Sequence, residues 1–399
     1  MTVPMAARTA PAASRDRWRM SLEARALTFV SLALVCVGLA VLYSASALQA
    51  VSKGSPGHFF VLRQAMGVVV GGAAFMVAAK LDAERWRTWA WPIMLGSLLM
   101  MLVIVLPGTE AISQRVYGSR RYLFNGSIQP SEFAKVAILI WVPMLLVKKG
   151  QLVREVGRGL MPFVTVVGAQ CILAALEPDL SVAMMFCGFT AVLLFIGGAR
   201  ISHFVLFSVA ALLLLGAVSS KSTYVRARVT GFFESDGRTK DSAVNDQQYQ
   251  SLVAVGSGGL VGVGIGQGNQ QRGWLPLAYN DFIGSIIGEE FGFLGMASIV
   301  FLFALYGWLG FRIARHARSP YLSLLAVGLT MSTVVTALIH IGVVMRYFPN
   351  TGLTLPFVSY GRSNLVLTLL TTGILVNIGS ERERVYGTKA TDPLAVASR

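Results

Sequence analysis

The sequence predicts an all-α polytopic membrane protein, with about ten transmembrane helices and one long extracytoplasmic loop. Composition supports this first: 54% of residues are hydrophobic and 13% charged, with mean hydropathy +0.63, whereas a soluble domain carries roughly 25% charged residues. Arrangement supports it next. The apolar residues fall in runs of bilayer-spanning length, and Lys and Arg gather at the ends of those runs, as the positive-inside rule asks. The net charge of +15 therefore reads as a topology signal that also favours anionic lipid headgroups, not as a nucleic-acid face. Cys36, Cys171 and Cys187 lie in apolar runs with no Cys-x-x-Cys pair or His cluster beside them, so no disulfide framework or metal site is indicated. His340, inside an apolar run, reads as a packed or hydrogen-bonded helix residue.

Residues 1–25 are Arg-rich with Ala, Pro and Ser, and are expected to form a disordered cytoplasmic tail. The membrane domain is expected over 26–380, with a second cytoplasmic tail at 381–399. The first run, Ala26 to Leu48, is long enough to span, which argues against a cleaved signal peptide. The second covers Phe59 to Ala79 and is followed by Lys80, Arg85 and Arg87; the third covers Trp91 to Leu106 and stops at Pro107-Gly108. Gln129-Pro130-Ser131-Glu132-Phe133-Ala134-Lys135 opens the fourth, where a proline suits the first turn. Glu132 and Lys135 stand three apart and can pair on one face. Such a pair entering a membrane helix usually faces an internal cavity, a plain surface pair being the alternative.

Lys148, Lys149, Arg154 and Arg158 mark the next cytoplasmic turn. The fifth and sixth spans, 160–176 and 180–197, are separated by Glu177-Pro178-Asp179, where the proline ends one helix and Asp179 can cap the next. A seventh span is expected at Ile201 to Val218. The loop 219–280, roughly sixty residues, is far longer than a usual connection. Its Gly-rich second half fails the dinucleotide fingerprint, because Asn269 stands at the third-Gly position, and no Walker A lysine is present. Three spans complete the chain: Phe291 to Leu309, Tyr321 to Val343 and Asn364 to Gly379, with Arg312, Arg315 and Arg318 between the first two. Ten spans with both termini cytoplasmic place the Gly-rich loop, Asp281 and the Pro349 to Arg362 loop outside.

The stretch Leu275 to Gly295, LPLAYNDFIGSIIGEEFGFLG, carries Asp281, Glu289 and Glu290 at the mouth of an apolar run. A carboxylate at the edge of hydrocarbon is costly without partners, so it points to function. If the segment is helical from Asp281, Glu289 lies roughly 80° from it at about 100° per residue, while Glu290 points away. Gly284, Gly288 and Gly292 would let a neighbouring helix or a lipid approach closely. The alternative for Asp281 is a helix N-cap, although Gly284 stands where a capping-box acid would be.

Taken together, several stretches resemble the SEDS (FtsW/RodA/SpoVE) family of bacterial cell-wall polymerases. They are YSAS at 43–46, IQPSEFAK at 128–135, EPDLS at 177–181, QSLVAVGSGGLVGVGIG at 250–266, the Asp281 stretch, and TGLTLPFVSYGRSN at 351–364. The likeness covers residues 26–380 in order, and GLTLPF is closer to the division branch than to the elongation branch. Where the family usually reads SYGGSS, this chain has Ser359-Tyr360-Gly361-Arg362-Ser363-Asn364, and Tyr122 replaces the usual Trp after an Arg pair. The resemblance implies an inverting peptidoglycan glycosyltransferase that polymerises lipid II, the undecaprenyl-pyrophosphate-linked disaccharide-pentapeptide, on the outer face of the cytoplasmic membrane at the division septum. It implies Asp281 as the catalytic carboxylate. Gln129, Ser131, Glu132, Lys135, Arg120, Arg121, Asp179, Gln250, Glu289, Glu290, Ser359 and Arg362 are then implied to contact substrate. Lys135, Arg120, Arg121 and Arg362 are candidates to stabilise the leaving pyrophosphate, with a divalent cation (Mg²⁺ or Mn²⁺) as a further means. Other readings stay open: a headgroup contact for Arg362, a turn for Ser359 and Tyr360. A class B penicillin-binding protein transpeptidase, other divisome components and membrane lipids are the implied partners, with no nucleic acid. The competing functions are a flippase or transporter for the same lipid, an elongation-type polymerase, and a scaffold with weak or lost activity.

Overall fold

The computed structural model describes residues 15–109, 113, 120–124, 127–177, 179–202 and 243–385, with isolated positions between 205 and 216. In chain order the elements are β1 (Arg15–Met20), α1 (Leu22–Ser52), α2 (Phe59–Lys80), α3 (Arg85–Val105), α4 (Pro130–Lys149), α5 (Met161–Leu176), α6 (Leu180–Ile196), α7 (Ala243–Ser257), α8 (Ile283–Arg315), α9 (Pro320–Val344), α10 (Arg362–Ile378) and β2 (Ser380–Val385). Seven helices among the described residues are long and apolar enough to cross a membrane, and α6 and α10 are shorter apolar helices. The seventh expected span, Ile201 to Val218, lies largely outside the described residues, as does the first part of the loop that follows it.

Local chemistry sets the helix starts. Ser21 accepts the Ala24 N–H at 3.1 Å to cap α1, and Ser319 accepts the Leu322 N–H at 3.3 Å to cap α9, which opens on Pro320. Pro130 opens α4 in the same way. The central helix is α10, whose residues from Leu365 to Ile378 are almost continuously buried. Its closest neighbour is α2. A Cβ on Gly373 would lie 2.5 Å from the Phe75 carbonyl, so the two helices meet at backbone distance there, the small-residue contact that membrane helices use.

Of the N-terminal tail, residues 1–14 lie outside the described residues. Arg15–Met20 pairs antiparallel with Ser380–Val385, in a register that sets Asp16 opposite Arg384, Arg17 opposite Glu383 and Arg19 opposite Glu381. The ribbon defines one end of the bundle. Glu23, in the first turn of α1, pairs with Arg312 near the end of α8 at 3.0 Å, so α8 starts, and Asp281 lies, at the opposite end. Lys148, Lys149 and Arg312 to Arg318 all fall at the ribbon end.

The long loop is also more structured than its polarity suggested. It contains α7, which packs on the first part of α8. The reason lies in α8 itself, which breaks at Gly292 (φ 64°, ψ −157°). A break leaves carbonyls before it and N–H groups after it without helical partners. The Gly-rich segment supplies them. Val263 and Gly264 donate to the Glu289 and Glu290 carbonyls at 3.0 and 3.1 Å, while Phe293 and Leu294 donate to the Gly259 and Leu260 carbonyls at 2.9 and 3.1 Å. Only glycine fits so close an approach: a Cβ on Gly262 would stand 2.1 Å from the Glu290 carbonyl oxygen.

Candidate active site

Asp281 stands just before α8, half-buried, at the end of the bundle away from the ribbon. The helix starts later than the N-cap reading requires: Phe282 holds the cap position, and no side chain closes it. The Asp281 carboxylate faces the α9–α10 connection, with Oδ2 3.8 Å from where a Cβ on Gly352 would sit. That connection is tied to the Asp281 loop by the Tyr360 N–H, which donates to the Tyr279 carbonyl at 3.0 Å, and by a cluster of the Phe60, Tyr279 and Tyr360 rings. His340 holds the same region from below. Its Nδ1–H donates to the Leu353 carbonyl at 2.8 Å and its Nε2 accepts from the Gly284 N–H at 3.4 Å, so it is a satisfied core histidine.

Tyr122 is the meeting point of the cluster. Burial, followed by the charges of Asp281 and Asp179, pushes its phenol above its usual range, against an opposing pull from Arg121. Arg121 binds the link between α5 and α6 twice: its Nε donates to the Glu177 carbonyl at 3.3 Å, and its guanidinium lies 3.9 Å from Asp179 Oδ2. Asp179 occupies the cap position of α6 without a side-chain cap bond, so its carboxylate serves Arg121 rather than the helix. Glu177 beside it is 2% exposed, and neither carboxyl oxygen has a hydrogen-bond partner. Burial, reinforced by Asp179 and opposed by Arg121, lifts its pKa to about 9, so the group is a neutral acid at pH 7.

On the facing side, Lys135 Nζ pairs with Glu132 Oε2 at 2.6 Å, and Asn364 Nδ2 donates to the same oxygen at 3.1 Å. The pair lines a small cavity with Ser332, Thr333, Thr336, Thr368 and Thr371. Arg362 Nη2 donates to Ser127 Oγ at 3.1 Å, Ser363 Oγ donates to the Ser127 carbonyl at 2.8 Å and accepts from the Gln129 N–H at 3.2 Å. The SYGRSN residues thus clamp the segment leading into α4. Ser131 is fully buried, with no partner for its hydroxyl. Arg120 is half-buried beside Arg121.

Three of the expected substrate contacts, Glu289, Glu290 and Ser359, hold backbone groups of the protein itself. Glu289 and Glu290 do not join Asp281, because α8 begins after Asp281 and the helical phase does not extend back to it. Both carboxylates are buried and hold the Gly-rich segment. Glu289 Oε1 accepts the Asn269 N–H at 2.7 Å, and Glu290 Oε1 accepts the Gly266 N–H at 3.0 Å and the Ser44 hydroxyl at 2.5 Å. Ser359 Oγ accepts the Leu355 N–H at 2.8 Å, closing a turn. Gln250 is half-buried on α7. Residues that sequence reasoning passed over include Gln64 and Asn364. Gln64 donates to the Ser359 carbonyl at 3.0 Å and accepts the Gly361 N–H at 3.2 Å. A glutamine one turn inside an apolar span was the available signal. Among the described residues no three His, Cys, Asp or Glu side chains are grouped to hold a metal ion.

The sequence profile of the cell cycle protein family of FtsW, RodA and SpoVE matches residues 24–384. Stage V sporulation protein E of Bacillus subtilis is 35% identical over 354 residues, covering 88% of this chain and 95% of that protein. The probable peptidoglycan glycosyltransferase FtsW of Geobacter metallireducens is 34% identical over 364 residues, covering 91% and 95%. Two solved structures share the fold. One is a chain of a peptidoglycan synthase complex studied for coordination of polymerization and crosslinking, at TM-score 0.70 and 24% identity over 88% of this chain and 96% of that one. The other is the rod shape determining protein RodA of Thermus thermophilus, at TM-score 0.64 and 23% identity over 88% and 95%.

Proposed function

Because the chain belongs to the cell cycle protein family of FtsW, RodA and SpoVE, a family of multi-pass membrane proteins, we propose that it is a peptidoglycan glycosyltransferase polymerising lipid II. The observation that carries the reading is the Asp281 carboxylate, set at the end of the bundle opposite the basic turns and within electrostatic reach of Tyr122, on which Asp179 and Arg121 also act. Basic turns belong on the cytoplasmic side, so this end faces outward, where lipid-linked sugars are joined.

The chemistry asks little more of the site. An acceptor sugar 4-hydroxyl attacks the anomeric carbon of a second lipid-linked sugar. The carbon–oxygen bond to diphosphate breaks with its electron pair leaving on the diphosphate, and the hydroxyl proton passes to Asp281 as general base. One in-line displacement inverts the anomeric centre without a covalent intermediate. The departing diphosphate needs positive charge. Arg120, Arg121, Lys135 and Arg362 are cations of this end suited to that role, and the last three are already oriented by Asp179, Glu132 and Ser127.

Division rather than elongation is favoured by the FtsW-named relatives and by the GLTLPF wording. The protein then acts in the cytoplasmic membrane at the septum, both termini inside, with a class B penicillin-binding protein among its partners. The transport reading draws on broken helices, but the break in α8 is filled by the protein's own Gly-rich segment. The test uses fluorescent lipid II and the purified chain, with and without a class B transpeptidase. A polymerase makes a ladder of glycans in detergent. A transporter moves the lipid across vesicles without lengthening it, and that result alone would overturn the proposal.

A further inference from the structure

We propose that the Gly-rich hairpin Gly258–Gly266 is inserted into the leaflet at the Asp281 end, its tip packed against acyl chains rather than hydrated as part of an aqueous loop. Four observations support this. From Gln247 to Gln271 the chain carries no charged residue. The side chains the hairpin presents outward are apolar: Leu260 is 65%, Val261 70% and Ile265 66% exposed. The backbone groups on its α8-facing side are paired within the protein. Gly262 donates to the Gly258 carbonyl at 2.8 Å, Val263 and Gly264 donate to α8 carbonyls, Gly266 donates to Glu290, and the Gly259 and Leu260 carbonyls accept from α8. Irregular backbone is tolerated at membrane depth where its polar groups find protein partners, and those of the hairpin that face α8 do so.

The fourth observation is depth. The hairpin meets α8 at Gly292, and Trp308, stacked with Arg312 at 4.9 Å, marks the far interface of the same helix. At ~1.5 Å per residue the two points are roughly 24 Å apart along the helix, inside a hydrocarbon layer of ~30 Å. Between them Leu294, Phe301 and Trp308 form an exposed stripe at seven-residue spacing on a spanning helix. The hairpin tip begins where that lipid-facing stripe ends. Acyl chains are therefore the occupant that the surface fits, ahead of a protein partner.

The test is collision accessibility of nitroxide labels. Val261→Cys, Ile265→Cys, Phe301→Cys and Lys53→Cys are made in a full-length chain whose native cysteines are replaced, then placed in phosphatidylcholine–phosphatidylglycerol nanodiscs. Phe301 reports lipid, and Lys53, exposed in the α1–α2 turn, reports water. Labels at Val261 and Ile265 should match Phe301, colliding several-fold more with oxygen than with a water-soluble nickel chelate relative to Lys53. The Lys53 pattern at both sites would overturn the proposal, and so would low collision with both reagents, which would mean a protein cover. If one labelled variant fails to fold, the other carries the same decision, with Leu260→Cys in reserve.

Discussion

Glu177 offers a stability measurement whose size follows from the structure. Its carboxyl is buried without a hydrogen-bond partner, and its pKa rises from 4.5 to about 9. Below the unfolded value the acid is protonated in both states and ionisation costs nothing. Above it the unfolded chain releases the proton while the folded chain keeps it. The folded pKa is the raised one, so stability present below pH 4.5 is lost progressively as pH climbs toward 9. Each pH unit in that window is worth about 1.4 kcal/mol, so the loss at pH 7 is about 3 kcal/mol. Glu177→Gln keeps the shape and cannot ionise. Thermal unfolding in detergent should show little difference between the two proteins at pH 4.5, with the variant progressively more stable up to pH 8. A difference that stays constant or shrinks as pH rises would refute the reasoning.

Three further outcomes are expected. Gly262→Ala places a methyl 2.1 Å from the Glu290 carbonyl at φ 86° and should unfold several degrees below the native chain. Gly259→Ala, at φ 56° but in open space, should lose only the roughly 1–2 kcal/mol of a left-handed residue. Glu132→Gln removes the ion-pair partner of the half-buried Lys135. It should cost about 3–5 kcal/mol in chemical denaturation and lower glycan synthesis, whereas Asn364→Ala, removing one hydrogen bond to the Glu132 carboxylate, should cost about 1.5–3 kcal/mol. Arg362→Lys should lower polymerisation with little change in melting temperature, because an ammonium does not present the planar, multi-donor guanidinium whose Nη2 reaches Ser127 Oγ.

The spans were legible because hydrocarbon length and the placement of Lys and Arg are written into consecutive residues. The Glu132–Lys135 pairing was legible for the same reason, since three-residue spacing on a helix is local. What stayed hidden depended on distant contacts. Glu289 and Glu290 looked like companions of Asp281 under a helical phase, yet the helix begins after Asp281, and both acids hold backbone N–H groups some twenty residues upstream. The Gly-rich segment read only as part of a long loop, because its glycines carry no hydropathy signal. Their role appears only once the break at Gly292 supplies unpaired groups for them to meet. Glu177 read as part of a proline break, and only its burial without a partner shows it to be a neutral acid.

Glycan synthesis by purified Asp281→Asn, given labelled lipid II, addresses the central claim most directly. The asparagine keeps the size and hydrogen-bonding reach of the side chain but cannot take a proton. The account expects lipid II to bind as before and polymer to fall by at least the roughly 10²–10⁴-fold that a general base contributes. Polymer made at the native rate would contradict it.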